Sequence, residues 1–207
     1  YGALPLGLIV LVVVLRLFFF LPFRVMTSAQ SPDLHLGAWA LARRSHSPKH
    51  GDIVLFRLPS LRGRTPESLH LGRIVALPGD SVELRAGRLV VNEEEVHDYR
   101  HEINPTESYA LRLPREGGVY PITSTNLVAY RSALLEEQKL YPSAPDEVAL
   151  EGTDPKHWLK ALAKNPYHTF RRDYYWVLTD QTQAAPDSRH LGILPADAIL
   201  GIVLFSL

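Results

Sequence analysis

Thr27, Ser28 and Ser31 place three hydroxyls on one short stretch of the chain, and His70 stands further along at the edge of a strand-like run. A serine hydroxyl attacks an acyl carbon only when an adjacent base takes its proton, and an imidazole can be that base. A serine–histidine pair is therefore one chemistry to weigh. Against it, Ser31 precedes Pro32, which biases it to an extended conformation, and both serines read equally well as solvated turn hydroxyls. Near the other end, Asp187 and Arg189 are spaced to stay on one side of an extended segment, where they would hold the fold and not catalyse. The chain has no cysteine, so disulfides and thiolate metal sites are excluded, and its nine histidines show no H-E-x-x-H or similar spacing. No metal and no cofactor is expected.

The elements that must position these groups are short strands. Residues 51–58, 72–77, 81–85, 88–92, 174–179 and 198–207 are rich in β-branched or aromatic residues and bounded by Pro, Gly and Asp turn signals. Pro78-Gly79-Asp80 and Ala86-Gly87 fall between consecutive runs at hairpin spacing, which makes residues 71–92 a local meander. Between the two halves, residues 109–169 carry helix signals. Asn126 is expected to cap LVAYRSALLEEQKL, and Asp154-Pro155 to open a second short helix. The expected fold class is mainly β: a β body over residues 24–108 and 170–207, with a small mixed α/β lobe inserted at 109–169. With 207 residues and 46% hydrophobic content, one main core is the default.

The stretch GALPLGLIVLVVVLRLFFFLPF, residues 2–23, is about the length needed to span roughly 30 Å of hydrocarbon. Residues 1–23 are accordingly expected to be a transmembrane anchor; the stretch is too long for a cleavable signal peptide and lacks a small-x-small cleavage site. Arg16, near its centre, implies either contact with another membrane protein or snorkelling to the interface. A start at Tyr1 in place of Met points to upstream residues. Zero formal net charge gives no basic field for nucleic acid.

Three segments together resemble a bacterial type I signal peptidase. FRVMTSAQSPDLHLG, residues 23–37, is similar to the family's P-S-G-S-M-x-P-T-L-x-x-G. GRIVALPGD, residues 72–80, is similar to K-R-V-V-x-L-P-G-D. Residues 179–192 are similar to G-D-N-R-x-x-S-x-D-S-R-x-x-G, with Asp180, Asp187, Ser188, Arg189 and Gly192 kept. The linking sequence, PITSTNLVAYRSALLEEQ followed by HTFRRDYYWVL, looks like the Bacteroidetes form of the family. On this register Ala29 stands where the family has its nucleophilic serine, Gly72 where it has its general-base lysine, and Ala185 where it has the serine that supports the lysine. Thr27 matches the side-chain oxyanion donor and Gln30 a methionine. His70 would share a strand face with Gly72 but lie about 7 Å away, two strand residues, from the lysine's position.

The resemblance implies a β body on the periplasmic side of the bacterial inner membrane. Ala29 has no oxygen to attack with and Gly72 no amine. A single alanine would fit an engineered trap; departures at three positions of one catalytic unit fit degeneration. Two function classes follow. One is a non-catalytic homologue, a binding or accessory subunit in protein export, with membrane lipid and with a translocon, an active signal peptidase or exported chains as partners. The other is an active signal peptidase that removes signal peptides by unusual chemistry, which fails without a base near residue 29. The strip Trp39, Ala40 and Leu41, with Phe18 to Phe20, either dips into the outer leaflet or leaves Trp39 in the core.

Overall fold

The computed structural model describes residues 3–45, 47–57, 69–96, 108–142, 158, 160, 163, 165–181 and 185–206. The N-terminal apolar run forms helix α1 (Ala3–Phe19), which gives way directly to strand β1 (Phe20–Arg24). The expected transmembrane helix through residue 23 is therefore not found. Among the described residues no helix is long and apolar enough to cross a membrane. Pro22 supplies the local reason, because it has no N–H and its ring disfavours a helical residue before it. Phe20 to Arg24 instead pair antiparallel with β2 (Trp39–Arg43), where an edge strand tolerates the proline. The change moves Arg16 from the middle of a span to the last turn of α1.

The body is built on a seven-stranded sheet. Its further members are β3 (Ile53–Arg57), β4 (Leu69–Ala76), β11 (Tyr174–Leu178), β12 (Leu194–Pro195) and β13 (Ile199–Ser206), in the order β1-β2-β13-β3-β4-β11-β12, with every pair antiparallel. A second, four-stranded sheet has the order β7-β6-β5-β8 and contains β5 (Ser81–Arg85), β6 (Arg88–Val91), β7 (Glu94–Glu95) and β8 (Tyr109–Arg112). The β5–β6 hairpin turns through Ala86 and Gly87 at φ 51° and 74°, as expected of a tight primed turn. A short ribbon pairs β9 (Val119–Pro121) with β10 (Tyr167–Thr169).

Helix α2 (Leu127–Leu140) buries Leu127, Tyr130, Ala133, Leu134 and Glu137, a single helical face. Its apolar members, Leu127, Tyr130, Ala133 and Leu134, join Val75, Val82, Leu84, Leu111 and Trp176 in one core cluster. Asn126 stands at the N-cap, but its side chain bonds none of the helix N–H groups, so the expected side-chain cap is not formed. Its Oδ1 accepts from the Thr123 N–H and its Nδ2 donates to the Pro121 carbonyl, so it closes the preceding turn. The second helix expected at Asp154-Pro155 begins outside the described residues. Trp39 is 60% exposed, which removes it from the core.

Candidate functional site

Residues 28–34 fold as tight turns, with the Ser31 N–H on the Ser28 carbonyl and the Leu34 N–H on the Gln30 carbonyl. At their centre Ala29 is fully buried. Its carbonyl accepts from the Gln181 N–H at 3.0 Å, and its own N–H donates to Thr27 Oγ1, also at 3.0 Å. An oxyanion site needs a backbone N–H and a hydroxyl that both point at an incoming oxygen. Here that N–H is spent on that hydroxyl.

Gly72 lies on β4 between Val54 of β3 and the end of β11. A Cβ added there would stand 2.3 Å from Val177 Cγ1 and 3.3 Å from Phe56 Cε1. Real side-chain carbons do not approach that closely, so the space a lysine stem would need is already filled. The register of β11 on β4 shifts between Trp176 and Val177, an irregularity of the kind that re-aims a side chain. The same segment carries the Leu178 carbonyl, which accepts from Gln30 Nε2 at 3.5 Å and would lie 3.5 Å from the added Cβ. The positions matched to nucleophile and base thus both abut residues 177–181. Ala185, four residues on, is half-buried.

The polar framework beside these positions is dense. Arg73 donates from Nε to Asp180 Oδ1 at 3.1 Å and from Nη2 to Asp180 Oδ2 at 2.7 Å, a two-pronged pairing. It also reaches Asp33 Oδ2 at 2.6 Å and the Gly51 carbonyl at 3.0 Å, tying the 28–34 turns to β4. The hydrogen bonds and charge of Asp180 raise the already high pKa of the Arg73 guanidinium further. Asp187 is buried and caps the four-residue helix α3 (Ser188–Leu191) by accepting from the Arg189 N–H. Arg189 and Asp187 therefore meet around a helix start, not along an extended segment. The Asp187 carboxylate also accepts from Arg189 Nη2 at 2.6 Å and from both the N–H and hydroxyl of Thr179 at 3.2 Å. Burial alone would push its pKa up; the Arg189 bonds and charge, with the N–H donors, outweigh this and leave it below the ordinary value. Ser188 Oγ accepts from the Val177 N–H at 2.9 Å, anchoring the residue that closes Gly72.

His70 does not complete a serine pair. Its ring stacks on Phe56 with centroids 5.6 Å apart, burial lowers its pKa, and none of the described contacts joins it to Ser28 or Ser31. Among the described residues no group of three or more His, Cys, Asp or Glu side chains could hold a metal. Sequence reasoning missed Asp33, Val177 and the burial of Gln30. Only Gln30 had a signal, as the polar residue matched to a methionine.

Against known proteins, the family model described as "Signal peptidase, peptidase S26" matches residues 2–207. Signal peptidase I of Pseudomonas aeruginosa is 30% identical over 97% of this chain and 69% of its own length. Signal peptidase I of Pseudomonas fluorescens is 24% identical over the same shares. A crystal structure of a signal peptidase I from Enterococcus faecalis aligns with 76% of this chain and 97% of its own at 20% identity, with a TM-score of 0.36, too low for any argument to rest on. The chain belongs to the signal peptidase, peptidase S26, family.

Proposed function

We propose that this chain is a catalytically inactive member of its family, held at the bacterial inner membrane with its β body on the periplasmic side, where it acts as a binding or accessory subunit in protein export. The observation that carries the reading is the closure of residue 72: Val177 Cγ1 stands 2.3 Å from where any side-chain carbon there would begin. A lysine restored at residue 72 would still lack its space, because the Val177 side chain would have to give way as well. The burial of Ala29 and the bond between its N–H and Thr27 Oγ1 fit the same reading. Asp180, Asp187, Ser188 and Arg189 then serve as scaffold, and exported chains or other export proteins are the partners.

Purified protein incubated with a preprotein tests this. No cleavage is expected from the wild type, from Ala29→Ser or from Gly72→Lys, because nucleophile and base act as a unit. Cleavage by the wild type that is lost in Ser28→Ala or Ser31→Ala, with contaminating peptidase excluded, would overturn the proposal.

A further inference from the structure

The junction of α1 with the β body carries three arginines within about one helical turn of the point where helix becomes strand. Arg16 lies in the last turn of α1, about 4.5 Å in rise from the final helical residue, Phe19. The Arg44 N–H donates to the Phe19 carbonyl at 2.8 Å, and Arg43 is the register partner of Phe20. The β1–β2 pairing therefore fixes Arg43 and Arg44 beside the end of α1. Arg16, Arg43 and Arg44 are all exposed, and among the described residues none of them makes an ion pair or a side-chain hydrogen bond. In a chain of zero formal net charge this end is locally basic. Beside it Phe18 and Phe19 are 70% and 55% exposed, and Leu8, Leu11, Val12, Val13 and Val14 of α1 are exposed as well.

Apolar surface that ends in aromatics and arginines matches the depth profile of a bilayer, with acyl chains, then the interface, then phosphate. Guanidinium groups bind phosphate oxygens through two parallel N–H donors, and the β1–β2 pairing together with the Arg44 N–H bond to the Phe19 carbonyl fixes the backbone of two of these arginines. We infer that Arg16, Arg43 and Arg44 form a binding site for the phosphate of anionic lipid headgroups, which sets the β body at a defined level on the membrane. The inference rests on the membrane reading above and adds the residues and the lipid chemistry to it.

The test is flotation of the full chain with vesicles of phosphatidylcholine alone or mixed with phosphatidylglycerol. Each arginine near an anionic surface is worth about fivefold in partitioning, so Arg16→Gln, Arg43→Gln and Arg44→Gln together should cost on the order of a hundredfold on the anionic vesicles. Binding to neutral vesicles should be unchanged by the three substitutions, and the anionic preference of the wild type should fade as salt rises. Because all three side chains are exposed, circular dichroism should show an unchanged fold; if the triple variant fails to fold, the single variants and the salt titration of the wild type decide. Equal wild-type partitioning onto both vesicle types, an anionic preference retained by the variants, or displacement by millimolar inorganic phosphate at constant ionic strength would overturn the headgroup site. Failure to bind either vesicle would overturn the membrane reading itself.

Discussion

Val177 occupies the space that a side chain at residue 72 would need, its Cγ1 2.3 Å from the point where a Cβ on Gly72 would stand. The contact joins β4 to the bulged end of β11, and the Ser188 hydroxyl holds the Val177 N–H in place at 2.9 Å. A glycine in the middle of a strand ordinarily weakens it. Here it is what lets β11 close over β4.

This coupling predicts a double-mutant cycle. Gly72→Ala should destabilise the protein by about 1 to 3 kcal/mol through overpacking. In a Val177→Ala background, itself costing roughly 1 to 3 kcal/mol as a buried truncation, the same change should cost much less. Chemical denaturation of the four proteins measures the coupling. Additive effects would mean that Val177 does not seal the site.

Asp187 should show in the acid limb of stability. Its carboxyl is held below its ordinary value, so its contribution is fully present above the unfolded pKa of about 3.9 and is lost as pH falls through the lower folded value. Asp187→Asn should lower stability at neutral pH by about 3 kcal/mol, because the buried ion pair between Asp187 and Arg189 is broken. The gap between wild type and variant should narrow toward pH 3. Denaturant midpoints across pH 3 to 7, roughly the range over which a carboxylate titrates, check both. A gap that does not change with pH would assign the loss to packing.

Gln30 is fully buried with Oε1 unpartnered in the fold, and its Nε2 makes only a long bond to the Leu178 carbonyl, at 3.5 Å. A buried polar atom without a partner costs about 1 to 3 kcal/mol, whereas an apolar side chain of like volume carries no such cost. Gln30→Met should therefore raise stability by about 1 kcal/mol, read as an increase of a few degrees in Tm. A fall in Tm would mean that the amide is satisfied by an ordered water.

Much of the architecture was legible in local pattern. Residues 127–140 carry a helical period and form α2 over those bounds, and the strands at 81–85 and 88–92 are β5 and β6 within a residue. Period and turn chemistry are properties of neighbours in sequence, so one chain reveals them. The absence of an oxygen at Ala29 and of an amine at Gly72 was equally plain from residue type. The end of α1 was not: Pro22 gives a local signal against helix, but pairing with β2, a segment distant in sequence, sets the change to strand at Phe20. Nor could the sequence show that the space at Gly72 is closed, that Gln30 is sealed inside, or that Arg43 and Arg44 sit beside the end of α1. Each of these depends on contacts between segments distant along the chain, and their register is set by sheet pairing and close packing of the whole, which local pattern does not encode.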